Sequence, residues 1–316
     1  MALLVFGEYE CEVFGNGPVE AESKNTWENC EKHFGHASFI PAPQFNMDHM
    51  PEGFKMDLHL HYVRYISKRT VRLKVGYVSW GRPPGYTFAA SRGEKRPHWG
   101  SGWINDVSYY DGLCFCQKCA DKPDPKIGYC TVKVHTALHV VYDTEEAQNT
   151  EIDLFYDGDL TLKDSEKPKV LKLYGIRVSD ANIKRDLSTI MCVTHEKSIL
   201  NELSTFQAEK RDMWKALRTH AATPPNNINA CIIISHPHGQ PKKITVGKLV
   251  NNLDSGGIAT MFESYDANTC RGCSGGPVIV WRAGEVNPDP YLVLAPHCFS
   301  SRKDCGTSGG RPFFFC

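Results

Sequence analysis

Three residues of this chain have the types and the order needed for nucleophilic chemistry. Ser274 sits in Gly272-Cys273-Ser274-Gly275-Gly276-Pro277. Glycines on either side let the backbone turn tightly and approach another chain closely, with neighbouring N–H groups free to hold an anionic oxygen. A serine hydroxyl is a weak nucleophile until a base takes its proton. His139, in Thr136-Ala137-Leu138-His139-Val140-Val141, offers an imidazole directly after a candidate strand. The third member must be a carboxylate that holds the imidazole in one tautomer. Asp186, ahead of the β-branched and apolar run 187–191, suits that role best. Its rivals Asp157 and Asp159 belong to a turn, and Asp180 to a polar loop. A lone glycine-rich turn or a lone histidine is ordinarily structural. The order histidine, aspartate, serine is what makes the three together a candidate for acyl transfer.

A second set of residues suggests a metal. Cys114, Cys116, Cys119 and Cys130 lie close enough in the chain for four thiolates to close a tetrahedral zinc site, with local disulfides or free thiols as the alternatives. Cys270 and Cys273 form a C-x-x-C just ahead of the serine, which packing explains more simply than a redox brake. Asp57, His59 and His61 alternate along a candidate strand and read as surface residues. The opening residues lack the basic region and cleavage site of a secretory signal, so an intracellular, cytoplasmic chain with reduced thiols is expected.

The elements that must position these groups are short strands. Val71, Leu73 and Val75 alternate with Arg72 and Lys74, the period of a half-buried strand. Further β-rich runs fall at 103–104, 131–134, 152–156 and 170–178, and a second group at 230–235, 244–250, 278–281 and 291–294. Between the groups, Ile199, Leu203, Phe206, Met213 and Leu217 recur at helical spacing. The expected fold is therefore all-β, two antiparallel barrels or a sandwich, with an inserted amphipathic helix and an N-terminal extension. The boundaries are 1–55 for the extension, 56–195 for a first barrel carrying His139 and Asp186, 196–225 for the linker helix, and 226–316 for a second barrel carrying Ser274. The helix at 196–220 packs on the barrels or offers a surface to a protein partner. Lys plus Arg and Asp plus Glu each number 36, so no global field favours nucleic acid or an anionic bilayer. No apolar run approaches the ~20 residues of a membrane-spanning helix.

With these segments in order, the sequence resembles the chymotrypsin-like (trypsin-like) serine peptidases, and within them the HtrA-type branch without its PDZ-like module. Gly100-Ser101-Gly102-Trp103-Ile104 resembles that branch's first-barrel strand, and 136–141 and 185–191 its histidine and aspartate motifs. Tyr265-Asp266-Ala267 with 272–277 resembles its serine motif, and Ser235-His236-Pro237-His238-Gly239 falls where the branch has a Pro-x-Gly turn. The resemblance implies a serine endopeptidase acting on polypeptides with no catalytic cofactor. His139 would take the proton of Ser274, Asp186 would orient the ring, and the N–H groups of Gly272 and Ser274 would hold the oxyanion. It also implies a primary pocket floored by Asn268, with His297 in its wall. Many relatives carry an Asp just before the serine that pairs with a new N-terminus; Cys273 stands here, so no activation by N-terminal cleavage is expected. The alternative is an inactive peptidase fold kept as a binding module, stabilised by zinc at the cysteine cluster.

Overall fold

The computed structural model describes residues 8–15, 17–158, 169–219, 229–250, 263–281, 293–300 and 308–310. Its strands fall into two sheets, each carrying one half of the expected double barrel. The first holds β2 (Glu12–Val13), β4 (Thr70–Val75), β5 (His98–Leu113), β6 (Ile127–Ala137), β7 (Thr150–Leu154), β8 (Leu171–Asn182) and β9 (Leu187–Thr194). Their order is β2-β5-β4-β7-β8-β9-β6, and β6 pairs back onto β5, so the sheet closes into a ring. Closure removes the exposed edges that would otherwise invite another chain. Inward-facing Val71, Leu73, Val132, Val134, Ile152, Ile190 and Cys192 fill the interior.

The second sheet holds β3 (Ile40–Pro41), β10 (Ala230–Ser235), β11 (Lys243–Gly247), β12 (Leu249–Val250), β13 (Glu263–Tyr265), β14 (Pro277–Trp281), β15 (Val293–Ser300) and β16 (Ser308–Gly310), in the order β12-β13-β16-β15-β14-β10-β11-β3. A further strand, β1 (Glu8–Tyr9), pairs with β15. Strands β10 and β14 are buried throughout, as their unbroken runs of Ile and Val require.

The helices correct two local expectations. The stretch around Asp57, His59 and His61 is not a strand but a helix, α2 (Asp57–Arg69). Leu60, Val63 and Ile66 recur at helical spacing and are buried, so the three-residue alternation was too short a window to show the period. Asp57 in its first turn and Lys68 and Arg69 in its last complement the helix dipole. The inserted helical segment is two helices, α4 (Lys197–Leu203) and α5 (Phe206–Thr219), broken at Ser204–Thr205; beyond 219 the expected helix lies outside the described residues. Ile199, Leu203 and Phe206 join the first barrel's core and Leu217 joins the core under the second sheet, so this apolar face is covered by the chain itself. The remaining helices are α1 (Val19–Glu28) in the extension and α3 (Thr144–Gln148). No described helix is long and apolar enough to cross a membrane.

Candidate active site

The register of two neighbouring strands brings His139 and Asp186 together. Strand β6 runs antiparallel to β9 with Ala137 opposite Leu187, so the residues just past β6 and just before β9 share one end of the barrel. Leu138 N–H donates to the Asp186 carbonyl at 3.0 Å and His139 N–H to Asp186 Oδ1 at 3.0 Å. His139 Nδ1 meets Asp186 Oδ2 at 2.6 Å, and Tyr86 O–H donates to Oδ1 at 3.3 Å. Asp186 takes a left-handed conformation, φ 47°, at the tip of its turn, which aspartate tolerates better than most residues. Burial disfavours the charged His139 ring, but the Asp186 carboxylate and Cys11 outweigh that and lift its pKa to about 9. Among the rival carboxylates, Asp157 pairs with Lys242 at 2.7 Å and Asp180 is exposed on β8, while Asp159 lies outside the described residues.

Ser274 is fully buried on the turn before β14. Gly272 has φ 90°, and a Cβ there would meet the His236 carbonyl at 2.6 Å. Gly275 has φ 84°, and a Cβ there would strike the Ser101 carbonyl and Thr136 Oγ1, both at 2.2 Å. Only glycine fits either place, because both are left-handed and both are pressed against backbone. The Gly275 contact also seats the serine turn beside Thr136 and Ala137, immediately before His139. Ser274 Oγ accepts from Glu10 N–H at 3.0 Å, and His139 Nε2 is buried with no hydrogen bond.

The N–H groups of Gly272 and Ser274 both point at one oxygen, the Glu10 carbonyl, at 2.6 and 3.3 Å. They are thus a convergent pair of donors beside a hydroxyl, the arrangement that stabilises a developing oxyanion. His297 is fully buried next to this loop, with Nε2 2.6 Å from Glu10 Oε2 and Nδ1 2.8 Å from Tyr265 Oη. Asn268 lies apart, donating its amide to Ser38 Oγ at 2.6 Å; its neighbour Thr269 instead reaches Lys32, at 3.5 Å. Glu10, Lys32 and Cys11 were not foreseen from the sequence, since nothing local in 8–13 distinguishes that stretch from any other extended one.

Three of the four expected metal-binding cysteines meet. Cys114, Cys116 and Cys119 surround His195 Nδ1 with their sulfurs at 3.3, 3.4 and 3.5 Å. Their potential ligand atoms lie within 4.8 Å of one another. Cys130 is elsewhere: it is fully buried in the first barrel's core with Val107 and Val132, and burial lifts its thiol to about 12. His195 follows β9, which pairs with β6, and only that pairing brings it to the cysteine loop. Cys114, Cys116, Cys119 and Cys130 are all free thiols. The C-x-x-C cysteines are not joined to each other either: Cys270 faces Cys30 at 3.7 Å, and Cys273 accepts from Ser235 Oγ at 3.1 Å.

No protein-family model matches the chain. No curated protein matches it. Solved structures do resemble it distantly. The protease Anisep from Arthrobacter nicotinovorans aligns at 11% identity over 78% of this chain and 91% of that one, with a TM-score of 0.41. The thermostable serine protease AL20 from an extremophilic microorganism aligns at 10% identity over 78% and 92%, also at 0.41. Rv3671c from M. tuberculosis H37Rv, in an inactive form, aligns at 13% identity over 79% and 83%, at 0.37. At such distances the reading of the site rests on its own geometry.

Proposed function

We propose that the chain is a serine endopeptidase of the chymotrypsin-like class. The observation that carries this reading is a peptide carbonyl, that of Glu10, held by the N–H groups of Gly272 and Ser274 beside the Ser274 hydroxyl, with the ring of a buried His139–Asp186 pair packed on the preceding residue, Tyr9. In the proposed reaction His139 Nε2 takes the proton of Ser274 Oγ as the oxygen attacks a substrate carbonyl. Asp186 keeps the Nδ1 proton in place and stabilises the imidazolium, and the two N–H groups hold the tetrahedral oxyanion. His139 then returns the proton to the leaving amine. Nothing beyond side chains, backbone and water is required for this sequence of steps.

A structural metal accompanies the enzyme in this reading. Three thiolates around one imidazole nitrogen make a Cys₃His set, which suits zinc. Cys114, Cys116, Cys119 and His195 would hold the ion and brace the long β5–β6 hairpin against the end of β9.

One observation favours a second reading, an inactive fold kept as a binding module. The Ser274 hydroxyl bonds to Glu10 N–H, and no hydrogen bond joins it to His139 Nε2. Treatment with a fluorophosphonate separates the two. Adduct at Ser274, in the full chain or in Glu10→Arg, whose segment can no longer seat its side chain, together with peptide cleavage abolished in Ser274→Ala, supports the peptidase. No adduct and no cleavage in either chain sinks it.

A further inference from the structure

The stretch from Glu8 to Val13 crosses the site as a bound polypeptide would. Upstream of Glu10 it adds antiparallel to β15, with Tyr9 opposite Phe299 and Glu8 opposite Ser300. Downstream it adds to β5 of the other sheet, with Glu12 opposite Trp99 and Val13 opposite His98. Addition of a strand to a sheet edge is a general mode of peptide recognition, with backbone bonds for affinity and alternate side chains for specificity. At the centre, the Glu10 carbonyl lies on the Gly272 and Ser274 N–H groups. The Tyr9 ring packs on His139 with centroids 4.3 Å apart, and the Cys11 thiol lies against the same imidazole.

Glu10 is 3% exposed, and each of its carboxylate oxygens has a partner. Oε1 takes the Lys32 ammonium, and Oε2 takes His297 Nε2 at 2.6 Å. Burial keeps the Tyr265 phenol protonated, so its O–H donates to His297 Nδ1 and leaves the ring's one proton on Nε2, facing the carboxylate. Burial also lowers the His297 pKa, which favours this neutral tautomer. Burial pushes the Glu10 carboxyl up, but His297 and Lys32 outweigh it and hold the group well below the usual carboxylate range. A lysine or arginine in this place would face Lys32 with like charge. A leucine would leave the Lys32 and His297 donors buried and unpaired, a penalty that sites built on hydrogen bonds turn into strong discrimination.

We propose that this pocket selects glutamate, and that the peptidase cuts first its own Glu10–Cys11 bond. This rests on the peptidase reading above. Ser274 Oγ would bond to the Glu10 carbonyl carbon while its proton passes to His139 Nε2. The bond from that carbon to Cys11 N then breaks, and the proton moves from His139 to the nitrogen, which becomes a new amino terminus. Water gives a proton to His139 and attacks the acyl ester; the Ser274 oxygen leaves with that proton, and the acid formed on Glu10 ionises to a free carboxylate. The freed carboxylate still fits the donors that hold the carbonyl, so the cut segment leaves the site slowly and acts as a product inhibitor.

The test uses the full chain and its Ser274→Ala form, followed by intact mass and N-terminal sequencing at alkaline pH, alongside a peptide library supplied in trans. A new terminus at Cys11 in the unaltered chain and none in Ser274→Ala, with library cuts after Glu, is the expected result. Gln in place of Glu in those peptides, or Glu10→Gln in the chain, should slow cleavage on the order of 100-fold. A chain that cuts peptides after other residues, or that cuts peptides yet keeps its Glu10–Cys11 bond, overturns the inference and leaves the peptidase standing. No cleavage and no fluorophosphonate adduct, also in Glu10→Arg, overturns both. His297→Leu should lose the preference for Glu, and should it fail to fold, the library comparison with the unaltered pocket still decides.

A separate cluster carries a second inference. Cys30, His36, His238 and Cys270 are all buried, with candidate ligand atoms within 4.8 Å of one another. Cys270 Sγ is 3.7 Å from Cys30 Sγ and 3.4 Å from His36 Nε2. His238 Nδ1 is tied to Glu12 Oε2 at 2.6 Å, and its Nε2 is buried with no partner. A carboxylate on the far nitrogen of a histidine is the usual support of a metal ligand. We infer that this Cys₂His₂ set takes one zinc ion, clipping the extension to the loop that carries Ser274. Cobalt exchanged into Cys116→Ser should give the visible bands of a tetrahedral thiolate site, and zinc content should fall by one equivalent in Cys30→Ser. A folded Cys30→Ser chain with undiminished zinc, or a Cys116→Ser chain without cobalt bands, overturns it.

Discussion

In the proposed peptidase, His139 is the residue on which pH acts. A general base must be neutral, and the carboxylate of Asp186 together with Cys11 raises the ring's pKa to about 9. The rate therefore rises with pH, with its ascending limb near 9 and not near the ~6.5 of a free imidazole. A pH profile of self-cleavage or peptide turnover checks this. Asp186→Asn removes the charge that raises the pKa, so the limb should move to lower pH while the maximal rate falls about 10⁴-fold, as in the Ser-His-Asp template. A fall in rate with no movement of the limb would assign the shift to Cys11 instead. Legibility at this scale follows from local sequence: His139, Asp186 and Ser274 each sit in a segment whose pattern marks it. Glu10, Lys32 and His195 carry no such mark, since each gains its meaning from a partner hundreds or tens of residues away.

Among the elements, strands were easier to read than helices. The alternation of Val71, Leu73 and Val75 is borne out by β4, whereas α2 was obscured because three alternating polar residues imitate a strand over so short a span. The expected C-x-C…C-x₁₀-C cluster misplaced its fourth member for a related reason: Cys130 points into the barrel, a matter of strand phase that spacing alone does not reveal. The loop after His139 shows how an element is held from outside. Arg82 and Glu146 are both fully buried, with Arg82 Nε 2.6 Å from Oε1 and Nη2 2.7 Å from Oε2. Arg82 also donates to the His139 carbonyl at 3.1 Å, and Glu146 accepts from the N–H of Ser79 and Tyr142. Arg82→Leu would leave a buried carboxylate without its cation, a loss of about 3–5 kcal/mol. Urea unfolding measures it, and a change within about 0.5 kcal/mol would show the pair to be dispensable.

Across the whole molecule, the two sheets meet at the site, and Ser101 of β5 is where the first grips the loop of the second. Its N–H donates to the Ser274 carbonyl at 2.7 Å and its Oγ to the Gly272 carbonyl at 2.8 Å, while the same Oγ accepts from His236 N–H at 2.8 Å. Its carbonyl in turn accepts from Thr136 Oγ1 at 2.7 Å, close to His139 in the chain. One residue thus ties the strand end that leads to His139 to the turn that carries Ser274. In Ser101→Ala the backbone bonds persist, but the His236 N–H is left buried without an acceptor and the Gly272 carbonyl loses its donor. Stability should drop by about 1–3 kcal/mol. Because the Gly272–Cys273 peptide, which lies between the two donor N–H groups, loses an anchor, the pair loses its aim, and in the proposed peptidase kcat should fall while KM changes little. If unfolding shifts as expected and kcat does not, Ser101 holds the halves together without orienting the donors.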